Sequence, residues 1–149
     1  MRAKQAKSRT LKQLFAVYVA CGGSASYGCE DLHFSAAWLR EPPPVASMAA
    51  AYVLIENQSE EAIAISDIKS DCCSHIMAHE TLVRDGNSKM VHLESLDIPA
   101  ASKVTLAPLG KHLMLGGFQA PLMSGESVDI TFTCSDGSKQ AVRFPIRRQ

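Results

Sequence analysis

The residues of this chain best suited to chemistry are its histidines and methionines, and they cluster. Of five His and six Met, the group His75, Met77, His79, Met90, His92, His112 and Met114 falls within residues 75–114. His75, Met77 and His79 alternate, so on a β-strand they share one face, and His112 and Met114 do the same further on. Imidazole nitrogen and thioether sulfur together suit a soft or borderline ion, and the thioether points to Cu(I). A thioether needs no deprotonation and, unlike a thiol, is not consumed by disulfide formation. Two His with two Met would therefore hold Cu(I) without the grip of thiolates, as a carrier that must release its ion requires. Zinc is more often held by Cys, His or carboxylate. The ordinary alternatives carry weight, because a methionine on an apolar strand usually fills core. His33, His75 and His92, with Met48 and Met123, are read as ordinary structural residues.

The elements that must position these side chains read as strands. Asp85-Gly86-Asn87 is a strong hairpin signal between two of the groups. If Asp85-Gly86 is a two-residue turn, Arg84 pairs with Asn87 and His79 pairs with His92. Met90 then lies on the same face, diagonal to His79 at about 7–8 Å. A three-residue turn would send Met90 to the other face. Leu32, Phe34, Ala36 and Trp38 alternate as a half-buried strand does. Pro42, Pro43 and Pro44 interrupt the chain, and an apolar run at 51–56 follows. Ile63, Ile65 and Ile68 continue the pattern with one slip. Further strands are expected at 74–83, 89–93, 103–106, 113–115, 128–133 and 140–146, the last two joined by a turn at 135–138. No window shows a helical period. The predicted fold is all-β, a sandwich of about eight short strands.

A chain of 149 residues supports one domain, and 46% apolar with 20% charged residues is ordinary for a folded one. The net charge of zero is unevenly spread. Residues 1–26 carry Arg2, Lys4, Lys7, Arg9 and Lys12 and no acid, leaving the remainder at −5, which argues against nucleic-acid binding by phosphate neutralisation. No apolar run approaches the roughly 20 residues of a membrane-spanning helix. A basic stretch ending at Lys12, an apolar run at 14–21 and the small residues Ser24-Ala25-Ser26 match a secretory signal peptide over 1–26, leaving a domain at 27–149. Lipidation fits poorly: Tyr18 stands three before Cys21, and Ser26 three before Cys29. Export leaves Cys29, Cys72, Cys73 and Cys134 in an oxidising compartment with three possible pairings, most simply as structural staples. Adjacent Cys72 and Cys73 have Cys29 and Cys134 as partners, or one stays free.

The sequence resembles the periplasmic copper chaperones of the PCu(A)C family. Their metal motif is His, ten residues, Met, twenty-one residues, His-x-Met. Ten residues separate His79 from Met90, twenty-one separate Met90 from His112, and Met114 completes His-x-Met. The flanks agree: residues 36–40, the proline run and residues 49–57 are similar to the family's first two strands. His79-Glu80, Ile98-Pro99-Ala100, His112-Leu113-Met114-Leu115, the Asp136-Gly137 turn and a closing strand near Pro145 also match. The resemblance spans roughly residues 31–147. It implies a cupredoxin-like or immunoglobulin-like β-sandwich binding one Cu(I) through His79, Met90, His112 and Met114. It also implies a periplasmic carrier that in some relatives supplies the dinuclear copper centre of cytochrome c oxidase subunit II, alongside Sco-type thiol proteins. Relatives with a His- and Met-rich C-terminal tail bind a second copper there; residues 144–149 have no such character. Three departures stand out. Cys72, Cys73 and Cys134 are additions, Lys111 replaces the usual Gly and puts a cation beside the site, and Leu115-Gly116-Gly117 differs from the usual pattern.

The leading expectation is an exported, monomeric Cu(I) carrier rather than an enzyme. A copper sink or sensor that never delivers would use the same ligands. A thiol–disulfide oxidoreductase based on Cys72-Cys73 lacks the Cys-x-x-Cys spacing at a helix start that lowers a thiol pKa. No Ser-His-Asp set, phosphate-cradling glycine loop or paired-carboxylate motif stands out. His75, Met77 and His92 fall outside the four motif positions, and their part in metal binding is left open.

Overall fold

The computed structural model describes residues 27–148, so the expected signal peptide over 1–26 lies outside the described residues. A short 3-10 turn, Cys29–Asp31, leads into ten strands among the described residues. They are β1 (Leu32–Arg40), β2 (Met48–Asn57), β3 (Ile63–Lys69), β4 (Cys73–Arg84) and β5 (Asn87–Leu93). Then come β6 (Leu96–Ile98), β7 (Lys103–Leu106), β8 (Lys111–Phe118), β9 (Ser127–Cys134) and β10 (Lys139–Arg147). Hydrogen bonds link them as one open sheet in the order β5-β4-β8-β7-β2-β1-β10-β9-β3-β6, with β8 also pairing directly to β2. The two halves join through a short parallel contact, Leu39 with Ile146 and Arg40 with Arg147.

The halves bury one common apolar cluster, as a sandwich does. Phe34 of β1 lies 4.7 Å from Phe132 of β9, ring centre to ring centre, although these strands are not sheet neighbours. Leu39, Ile55, Leu113, Leu115, Ile98 and Ile130 are fully buried. The all-β expectation therefore holds. The strand count is higher than expected, partly because β6 is only three residues long, too short for periodicity to reveal.

One alternation does not hold. Leu32, Phe34, Ala36 and Trp38 do not share a face, because β1 carries a bulge between Ser35 and Trp38 at which Ala36 takes φ +50°. After the bulge Leu39 enters the core, and Trp38 stacks on Tyr52 with ring centres 4.6 Å apart. The slip after Ile65 is a real irregularity in the β3–β9 register.

The β4–β5 hairpin follows the two-residue turn. Asp85 (φ +51°) and Gly86 (φ +76°) both occupy the left-handed region, as a type I′ turn demands. Arg84 pairs with Asn87 and His79 with His92. This register decides which side chains β5 brings to the face of β4.

Candidate metal centre

Residues directly opposite in an antiparallel pair point the same way, and every second residue along a strand repeats that direction. The registers therefore arrange one face of β2, β8, β4 and β5 in rows. Met48, Gly116 and His75 form the first row. Ala50, Met114 and Met77 form the second. His112, His79 and His92 form the third. Met90, opposite Thr81, stands in the fourth. All four motif residues share this face, with the His79 and His112 imidazoles side by side, Met114 one row to one side and Met90 one row to the other. The opposite face of β4 and β8 carries Ala78, Leu113 and Leu115 into the core.

The imidazoles are set up to donate lone pairs. His79 lies 6.1 Å from His112 and 5.3 Å from His92, ring centre to ring centre. Nδ1 of His112 is 3.0 Å from the carbonyl oxygen of Gly110. A carbonyl only accepts, so Nδ1 carries the proton and Nε2 keeps its lone pair for a ligand. Nδ1 of His79 is buried with no hydrogen-bond partner, the condition of a donor that awaits something other than protein. Burial, then the nearby imidazoles of His92 and His112, lower the His79 pKa below the ordinary imidazole value. Each of these disfavours the charged ring, so His79 stays neutral and available to a cation.

Exposure grades the site. His112 is only 6% exposed, whereas Met90, on the edge strand, is 51% exposed. Among the described residues no three His, Cys, Asp or Glu side chains come together as a metal-binding group. The face is thus a mixed imidazole–thioether surface, whose donor chemistry favours a soft ion.

One sequence expectation needs correction. Lys111 pairs with Glu80, and strand alternation turns both away from the face that carries His79 and His112. The lysine does not put its charge beside the site. His92 stands directly opposite His79, as the two-residue turn predicted.

The cysteines divide cleanly. Cys29 and Cys134 form a disulfide, whereas Cys72 and Cys73 are both free thiols. Adjacent Cys72 and Cys73 therefore do not staple the chain to Cys29 or Cys134. Cys73 is buried, and its pKa is pushed up to about 12 by burial and then by the Cys72 thiol beside it. Such a thiol is a poor nucleophile. Alkylation of the native protein with iodoacetamide near pH 8 should label Cys72, with Cys73 modified only after unfolding. Peptide mapping that finds both labelled at equal rates would show that Cys73 is not protected.

Comparison with known proteins matches this architecture. The family model described as "Putative lipoprotein LpqE-like" matches residues 32–146. A protein of Leifsonia xyli subsp. xyli named "Putative lipoprotein Lxx21020" is 32% identical over 119 residues, covering 79% of this chain and 70% of that protein. The Cu(I) form of DR1885 from Deinococcus radiodurans superposes with TM-score 0.62 at 27% identity, covering 86% of this chain and 85% of that one. The copper-bound PCuAC domain of PmoF2 superposes with TM-score 0.68 at 18% identity, covering 80% and 94%, a likeness of fold. A family model spanning nearly all of the β-domain, a relative sharing about a third of its residues and the same strand framework agree, and the chain belongs to the LpqE-like, PCuAC family.

Proposed function

We propose that this protein is an exported Cu(I) carrier that holds its ion with His79, Met90, His112 and Met114 and hands it to an acceptor outside the cytoplasm. The observation that carries the reading is the register of β5, β4 and β8, which gathers these four donors on one face with the Nε2 lone pair of His112 free. The copper-bound state of family members DR1885 and PmoF2 supports the choice of ion. Residues 1–26 and the lipoprotein names of the family model and the Leifsonia relative support export. The Cys29–Cys134 disulfide supports the reading that Cys29 does not carry a lipid.

The gradient of exposure suits hand-over. Copper leaves by ligand exchange: an incoming donor displaces the exposed Met90 thioether first, and the buried His112 lets go last. Neutral thioethers make that exchange easier than thiolates would. The acceptor in this reading is the dinuclear copper site of cytochrome c oxidase subunit II, served alongside Sco-type thiol proteins. The protein acts as a monomeric carrier and not as an enzyme; the protected thiol of Cys73 speaks against a dithiol oxidoreductase.

Mixing the Cu(I)-loaded protein anaerobically with the soluble domain of subunit II tests delivery. Copper should move to the acceptor, seen as loss from the carrier after separation on a column. Retention of the ion against an acceptor of comparable or higher affinity would instead mark a sink or sensor.

A further inference from the structure

Gly116 lies between Met48 on β2 and His75 on β4, directly opposite both. A β-carbon built on Gly116 would overlap Nε2 of His75 and stand 2.6 Å from Sδ of Met48. The nitrogen and the sulfur therefore both reach over Gly116, whose lack of a side chain lets the two groups approach one another. An ion held by both would sit above this point, clear of the Gly116 Cα, at about 2.0 Å from the imidazole nitrogen and about 2.3 Å from the sulfur.

The His75 ring is held by its neighbours. The Ser74 hydroxyl donates to the carbonyl of Gly116 at 3.2 Å and lies 2.9 Å from Nδ1 of His75. With Nδ1 held by this hydroxyl, Nε2 is the ring nitrogen that faces Met48. Met77, one row along from His75, supplies a further thioether on the same face. Ala50, opposite Met114, leaves room between the rows.

We propose that Met48 Sδ and His75 Nε2, joined by Met77, form a second Cu(I) site over Gly116. It uses none of the four donors assigned above, and so goes beyond the carrier reading. Imidazole and thioether make it selective for the same soft ion. His75 is exposed and Met48 partly so, which lets copper enter from solvent and makes this the weaker station. Met77 and Met114, paired across β4 and β8, lie between it and His79 and His112.

The test is an anaerobic Cu(I) titration of the full chain against a colorimetric chelator, with methionine methyl resonances followed by NMR. The wild type should take up two equivalents, the second at least about tenfold weaker, with the Met48 methyl shifting only during the second. Met48→Leu/His75→Gln and Gly116→Ala should each stop at one equivalent of unchanged affinity. Gly116→Ala is the sharper variant: its φ is not left-handed, and the added methyl meets the far ends of two flexible side chains. It should therefore keep the fold while filling the cradle. His79→Ala/His112→Ala should retain one weak equivalent.

A wild type saturating at one equivalent with Met48→Leu/His75→Gln unchanged overturns the second site and leaves the four-donor reading standing. So does a second equivalent indifferent to both that variant and Gly116→Ala. One equivalent lost in Met48→Leu/His75→Gln but kept in His79→Ala/His112→Ala overturns the four-donor reading instead. A chain that binds no Cu(I) overturns both.

Discussion

Replacing His112 by Ala should weaken the tight Cu(I) equivalent by about a hundredfold or more, whereas Met90→Ala should cost only about tenfold. Changing a group that merely orients a ligand typically costs 10–100-fold in metal affinity, so losing the ligand itself belongs at or beyond the upper end. His112 is 6% exposed on a strand flanked by β4 and β2, and its tautomer is fixed by the Gly110 carbonyl. Its nitrogen is presented without further ordering cost. Met90 is 51% exposed on edge strand β5, where rotamer freedom is lost on binding and water competes for its place. A competition titration against a Cu(I) chelator measures both. His112→Ala removes one of two donors to the Gly110 carbonyl, which keeps the Thr81 N–H, and leaves a small void, together costing about 1–3 kcal/mol, so thermal unfolding of the metal-free variant must be followed in parallel. A larger loss from Met90→Ala than from His112→Ala would contradict the exposure argument. Equal affinities in all three proteins would remove the ion from this face.

Much of that face is legible in the sequence. Read as a two-residue loop, Asp85-Gly86 sets the hairpin register that puts Met90 on the face of His79, whereas the three-residue loop the sequence also allowed would have put it on the other. His112 and Met114 were legible as a pair because β-structure repeats every two residues. That they lie beside His79 and Met77 was not, because the β4–β8 pairing joins residues more than thirty positions apart with three strands, β5, β6 and β7, and their turns between. Local pattern carries no information about such partners; only the family motif supplied the link. The same blindness hid Met48 and His75, which meet only because β8 sits between their strands with a glycine at the crossing point. In β1 the failure was different. A single left-handed residue, Ala36, inverted the inside–outside alternation midway, and nothing in the composition of Ala36-Ala37 announces a bulge. The lysine before His112 misled for the opposite reason: adjacency in sequence on a strand means opposite faces.

The largest stability effect should come from Cys29→Ser/Cys134→Ser. The disulfide joins residues 105 apart in sequence, and closing a loop of about 100 residues removes unfolded-state freedom worth up to about 4.7 kcal/mol in the chain-entropy model, with native disulfides typically worth about 2–5 kcal/mol. Burial adds to the loss, because Cys29 is fully buried and Cys134 is 2% exposed, so the two serines would place hydroxyls in the core. The bond also ties the turn ahead of β1 to the end of β9, beside the contact from the backbone N–H of Cys29 to the Ser138 hydroxyl at 2.7 Å. A loss of about 4 kcal/mol corresponds to roughly 10–20 °C in a domain of this size, to be read by calorimetry of the metal-free double variant, and strong reductant should reproduce it in the wild type. The disulfide is in the β9–β10 half of the sheet, whereas the copper face is built on β2, β8, β4 and β5. Cu(I) affinity measured well below the unfolding midpoint should therefore stay within about twofold of wild type. A midpoint shift of only a few degrees would mean that the core on that side holds without the staple. A parallel collapse of Cu(I) affinity would mean that the two halves of the sheet are coupled through the Leu39–Ile146 seam.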